Sequence, residues 1–154
     1  MEKRNVTVSA IVAAIVLIGD QLSKHWAETW LRTNGEYKIW DGVLHLRYVE
    51  NRGAAFGMMQ GGKWFFLAIT GIACAAMLYF LIKERKRLHF MMTFSLALLL
   101  SGAIGNLIDR VALGYVRDMI YVALIDFAVF NVADMAVTVG CCLLVLDLLF
   151  FKGK

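Results

Sequence analysis

The sequence predicts an all-α membrane protein: four transmembrane helices, both termini on the inner side (N-in, C-in), and a small β-sheet or cradle on the outer surface. Three observations predict it. The chain has 154 residues, 60% of them hydrophobic, where a soluble domain carries about half. Its apolar residues come in long blocks rather than spread at a surface period. The densest basic run, Lys83-Glu84-Arg85-Lys86-Arg87, falls between two such blocks, and short basic loops stay in the cytoplasm.

The first block, residues 6–22, carries one charge, Asp20, near its end. Lys3 and Arg4 precede it as they would in a secretory signal, which needs small residues at a cleavage site just beyond. Gly19-Asp20-Gln21-Leu22-Ser23-Lys24 follows instead, so the block is read as a retained helix. External segment 24–63 is too long for a turn. Residues 25–31 continue the helix with Trp26 and Trp30 at interface depth. Asn34-Gly35 is a turn signal. Leu44, Leu46 and Tyr48 alternate with polar neighbours, the pattern of a short amphipathic strand in a sheet lying on the membrane.

Residues 64–82 and 90–108 are uncharged and mostly apolar, each about long enough to cross a hydrocarbon core as a helix. Segment 109–126 is external again. Residues 127–151 make the last span and carry Asp134 and Asp147. The whole chain, 1–154, reads as a single integral membrane domain. Its net charge of +4 sits where topology needs it, at the N-terminus, in 83–87 and in the tail, so no nucleic-acid partner is expected. Cys74, Cys141 and Cys142 lie within spans as small packing residues. His25, His45 and His89 are scattered, and no metal site is expected of them.

Charges inside a bilayer cost about 2.5–3.5 kcal/mol each even on the lenient insertion scale, so they require a reason. Asp20 and Lys24 share a helical face at i, i+4. Asn106, Asp109 and Arg110 form a second polar face, and Asn131 with Asp134 a third. Each lies at the outer end of its span, and Asp118 sits in the connection on the same side. The polar groups converge on one layer. Asp147 is about 20 Å from Asp134 along a helix and reads as a solvated or snorkelling residue at the inner end.

Two aspartates close together in a partly dry site do not both ionise easily; one keeps its proton while the other serves as base. That is hydrolytic chemistry. The alternative from the same residues is that Asp118 and Asp134 pair with cations such as Arg110, Arg117 or Lys24 and fasten helices together. Composition and spacing leave the two readings level.

Short motifs in order decide between them: Asp20-Gln21-Leu22-Ser23-Lys24; Asn51-Arg52-Gly53-Ala54-Ala55-Phe56; Gly102-Ala103-Ile104-Gly105-Asn106-Leu107-Ile108-Asp109-Arg110; Gly114-Tyr115-Val116-Arg117-Asp118; and Phe130-Asn131-Val132-Ala133-Asp134. Together they resemble the lipoprotein signal peptidase (signal peptidase II) family across nearly the whole chain. The resemblance implies an aspartic endopeptidase, a multi-pass hydrolase of the bacterial cell inner membrane with its site towards the periplasm. It would remove signal peptides from prolipoproteins already carrying a diacylglyceryl group, cutting just before the lipidated cysteine. The implied dyad is Asp118 and Asp134, supported by Asp20, Lys24, Asn51, Gly53, Asn106, Arg110 and Asn131. The partners implied are the prolipoprotein with its diacylglyceryl-cysteine, membrane lipid and a globomycin-type inhibitor. No metal or organic cofactor is expected, and the enzyme is taken as a monomer.

One departure is local: many relatives read Val-Val-Asp-Phe where this chain has Val116-Arg117-Asp118-Met119. Asp109 and Asp126 are rival carboxylates for the dyad, but Asp109, next to Arg110 on a helix, has an ion-pair role with it. Gly53-Ala54-Ala55 suits close approach of an extended peptide. A proton-coupled transporter built on Asp134 and a non-catalytic scaffold are the competing functions; the transporter would need neither the long external segment with its own strand nor carboxylates gathered at one face.

Overall fold

The structure, a computed structural model, describes residues 2–53 and 62–150. Helix α1 (Glu2–Trp26) runs on through a π-helical turn, Ala27–Leu31, into a last helical turn, α2 (Arg32–Asn34). Gly35 ends it at φ 83°, a backbone that glycine adopts without a Cβ clash. Strands β1 (Tyr37–Trp40) and β2 (Leu44–Asn51) follow, then α3 (Lys63–Glu84), α4 (Phe90–Ala112), β3 (Val116–Val122) and α5 (Val132–Phe150).

Among the described residues, four helices are long and apolar enough to cross a membrane: Asn5–Asn34, Lys63–Glu84, Phe90–Ala112 and Val132–Phe150. Helix α4 is central and packs against α1, α3 and α5. Helix α3 has no buried residue, as befits a helix apolar all round with lipid for its solvent. Two glycines set how closely the central helices approach. A Cβ on Gly102 would lie 2.4 Å from the Ala133 carbonyl oxygen, and one on Gly105 2.6 Å from Asp20 Oδ2. Small residues let backbones meet, and here they bring the polar ends of α1, α4 and α5 into contact.

The sheet is antiparallel, ordered β1-β2-β3. It rests on the π-helical extension of α1 through a buried cluster of Ala27, Leu31 and Met119, flanked by Leu46, Tyr48 and Ile120. Between Leu46↔Ile120 and Val49↔Asp118 the register shifts, with one extra residue in β2. Such a bulge re-aims side chains beside a site. Downstream of it Asn51 opposes Val116 and Val49 opposes Asp118, so Asn51 and Asp118 share a face.

Two expectations change. The last helix begins at Val132, not at 127, because the preceding segment is extended and bonded to β3. Phe130 and Ile120 exchange both backbone hydrogen bonds, at 2.8 and 3.0 Å. Those bonds hold Asn131 beside Asp118. Asp147 is not solvated: it is 2% exposed and paired with His89, the residue before α4. A buried carboxylate needs a hydrogen-bonding partner, and the pair ties the start of α4 to the end of α5.

Candidate active site

The site is built where the C-terminal ends of α1 and α4 meet the start of α5 and the middle of β3. Alternation along β3 sorts its side chains, since successive residues on a strand face opposite ways. Arg117 turns towards α1 and α4. Its Nη2 donates to Asp109 Oδ1 at 2.8 Å and its Nε to Asp109 Oδ2 at 3.1 Å, while Nη1 donates to Glu28 at 2.9 Å. Asp118 turns the other way, 2% exposed. It accepts from Asn131 Nδ2 at 2.7 Å and Asn51 Nδ2 at 3.0 Å.

Asp134 lies in the first turn of α5. Asn131 caps that helix: its Oδ1 accepts from the Asp134 N–H at 2.9 Å, and its own N–H donates to Asp134 Oδ2 at 3.1 Å. This reciprocal pair is a capping box with Asp in place of Glu. Asn106 Nδ2 donates to Asp134 Oδ1 at 2.7 Å. Asn131 thus donates to both carboxylates, through its side-chain amide to Asp118 and its backbone N–H to Asp134.

Lys24 fixes which way Asn106 points. Its ammonium, fully buried, lies 2.8 Å from Asp20 Oδ2 and 3.8 Å from Asp109 Oδ2, and donates to Asn106 Oδ1 at 2.9 Å. With the Asn106 oxygen held by a cation, the amide N–H groups must face Asp134. Asp20 does a second job: its Oδ1 accepts from the Ala133 N–H at 2.9 Å, satisfying another orphan donor at the α5 N-terminus. The network of Asp20, Lys24, Asn106, Asp134, Asn131 and Asp118 is continuous.

Asp118 and Asp134, with Asn51, Gly53, Asn106 and Arg110, line one cavity of about 580 Å³. The rest of its wall is apolar, from Val116, Phe130, Met135, Val137 and Val139 among others. Arg110 reaches across it, Nη2 3.5 Å from the Gly53 carbonyl and its guanidinium over the Phe66 ring. Asn51 Oδ1 accepts from the Gly53 N–H at 3.0 Å. Ala54 and Ala55 lie outside the described residues. Burial, then the neighbouring charge of Asp134, push the Asp118 carboxyl up to about 7, against the opposing amides of Asn51 and Asn131.

Every sequence-predicted site residue falls in this layer. The rivals separate from it: Asp109 is fully buried and committed to Arg117 and Lys24, not to Arg110 as its neighbour in sequence, while Asp126 is exposed and accepts from the Tyr121 hydroxyl at 2.6 Å. Sequence reasoning took Arg117 only as a partner for Asp118 or Asp134, and it missed Glu28 and Gln21, which joins through a 3.3 Å bond to Arg117. Strand alternation through 116–122 was the available signal for Arg117. Among the described residues no group of three or more His, Cys, Asp or Glu side chains is placed to hold a metal ion.

By fold the chain falls with membrane enzymes. Two solved bacterial membrane enzyme structures obtained by the in meso method superpose with TM-scores of 0.87 and 0.83, each at 34% identity over 96% of this chain and 90% or 95% of theirs. The chain belongs to the signal peptidase II family, whose model, described as Signal peptidase (SPase) II, matches residues 12–150. It is 46% identical over 142 residues to a lipoprotein signal peptidase of Streptococcus thermophilus (strain CNRZ 1066), 92% of each chain. A lipoprotein signal peptidase of Clostridioides difficile (strain 630) is 43% identical over 145 residues, 94% of this chain and 97% of its own. By family the protein is a multi-pass membrane protease.

Proposed function

We propose that the protein removes signal peptides from diacylglyceryl-modified prolipoproteins, cutting before the lipidated cysteine, with Asp118 and Asp134 as its catalytic dyad. The observation that carries the dyad is their common tie to Asn131 at the wall of one largely apolar cavity. Asp118 makes no salt bridge among the described residues and keeps the shared proton. Asp134 accepts N–H donors at a helix N-terminus, where negative charge is favoured.

Asp134 takes a proton from water as the water oxygen attacks the scissile carbonyl carbon, while Asp118 gives its proton to the carbonyl oxygen. The resulting diol collapses and the C–N bond breaks. Asp134 then passes its proton to the leaving amine, and Asp118 recovers one from the diol hydroxyl. A signal helix enters laterally, unwound at the cut; its free backbone groups need partners in a bilayer, and Asn51 and Arg110 are available at the cavity wall.

The 83–87 basic turn supports a site on the periplasmic side of the inner membrane, with both termini inside. Exposed Trp26, Trp30 and Trp40 suit an interfacial belt on that side. The protein works as one domain and as a monomer, and a globomycin-type cyclic peptide would fill the cavity. The test is purified protein with a diacylglyceryl-modified precursor and the same precursor unmodified. The reading predicts cleavage of the modified form only, with the lipidated cysteine as new N-terminus by mass spectrometry. Cleavage elsewhere, or none, overturns it.

A further inference from the structure

A second cavity, of about 430 Å³, lies at the opposite end of the bundle from the carboxylates, between α1, α3 and α4. Its volume is within the range of ordinary ligand pockets, about 300–1,000 Å³. The wall is a channel of small and aliphatic side chains, Ala10, Ala13, Leu78 and Leu81 among them, with Arg85 at the rim. Arg85 belongs to the 83–87 turn, where four cations face one carboxylate, Glu84, which is itself paired with Arg87. Two wall residues carry hydroxyls, Ser9 and Thr93, and Thr93 donates its own to the His89 carbonyl at 3.0 Å. Ser9 is 2% exposed, and its hydroxyl has no hydrogen-bond partner among the described residues. A buried hydroxyl left unmatched costs on the order of one to a few kcal/mol, so a polar ligand atom beside it has a physical use.

We propose that this cavity is a binding site for an anionic phospholipid of the leaflet at the 83–87 end. One acyl chain lies along Ala10, Ala13, Leu78 and Leu81, an ester oxygen reaches the Ser9 hydroxyl, and the phosphate meets Arg85. The mixture of an apolar channel, one buried donor and a basic rim selects this occupant. A basic peptide segment is repelled by Arg85, and a free phosphate has nothing to do in the channel. Basic pockets between spanning helices recognise anionic headgroups in this way. The lipid bridges α1 to α3, which among the described residues packs chiefly along α4.

The test is native mass spectrometry of the detergent-solubilised protein titrated with phosphatidylglycerol or with phosphatidylcholine of the same acyl chains. The unaltered protein binds phosphatidylglycerol more tightly. Arg85→Gln weakens phosphatidylglycerol about fivefold, the equivalent of ~1 kcal/mol for one basic group, and leaves phosphatidylcholine unchanged. Ala10→Leu, at an exposed position where a larger side chain fills the channel without disturbing the bundle, weakens both. Lys86→Gln, in the same turn but off the cavity wall, weakens neither. Equal binding of the two lipids by the unaltered protein overturns the site, as does an unchanged affinity in Ala10→Leu. Equal losses in Lys86→Gln and Arg85→Gln reduce it to general attraction of a basic surface and overturn it too.

Discussion

Arg117 and Asp118 are neighbours on one strand and face opposite ways. Arg117 grips the buried Asp109 with two N–H groups, while Asp118 meets the amides of Asn51 and Asn131. The cation beside the proposed acid in sequence is therefore spent on another carboxylate. That leaves Asp118 without a salt bridge among the described residues and able to hold a proton near neutral pH.

Removing the Arg117 guanidinium takes two donors from Asp109, whose side chain is fully buried, and leaves it only the Arg117 backbone N–H at 2.9 Å and the Lys24 ammonium at 3.8 Å among the described residues. Breaking one partner from a buried pair costs about 3–5 kcal/mol. Arg117→Ala lowers the unfolding temperature in detergent sharply, and Arg117→Lys, which keeps the charge but loses the fork, recovers only part of it. A melting curve for Arg117→Ala that matches the unaltered protein contradicts this.

Asn131 has two roles that a substitution can separate. Asn131→Ala loses the helix cap, about 0.5–2 kcal/mol, together with the donor to Asp118. Asn131→Ser keeps an oxygen for the Asp134 N–H but has no amide for Asp118. Cleavage should fall about 10²-fold in both, as for a mispositioned group, while only the Ala variant loses the cap's share of stability. Equal melting temperatures in the two variants would contradict the cap.

The Asp118 carboxyl is raised from its ordinary 3.8 to about 7, first by burial and then by the charge of Asp134. A raised folded value means the folded state holds the proton more tightly than the unfolded one. The stabilisation is fully present below the ordinary carboxylate range and is lost as pH rises through about 7. Melting temperatures of the unaltered protein therefore fall from pH 5 to pH 8 relative to Asp118→Asn. Cleavage falls over the same alkaline limb, because the proton donor is lost.

A methyl group on Gly102 has no room beside the Ala133 carbonyl. Gly102→Ala pushes α4 from α5 and costs about 1–3 kcal/mol of overpacking, read as a lower melting temperature. Gly71→Ala is the control, with nothing within 4 Å of the added carbon, and leaves it unchanged.

The spans and the polar layer were legible because bilayer physics is one-dimensional: a long apolar run and the depth of each charge can be read along the chain. The side-chain partners were not. Asp109 was assigned to Arg110 by helical proximity, and the strand that carries Arg117 round to it was unread, although Val116, Ile120, Tyr121 and Val122 have β propensity. The start of α5 was set too early because residues 127–131 are mostly apolar, and bonds of Phe127 to Val122 and of Phe130 to Met119 and Ile120 keep them out of the helix. Asp147 was misplaced for the same reason. Its partner His89 is 58 residues away in sequence, and no local pattern links them.

The most direct measurement is cleavage of a diacylglyceryl-modified prolipoprotein by the purified protein and by Asp118→Asn and Asp134→Asn, with each variant's fold checked by its melting curve. The account predicts a gel shift with the unaltered protein and none with either folded variant. Cleavage at the unaltered rate by Asp118→Asn would contradict it and return Asp109 and Asp126 to consideration.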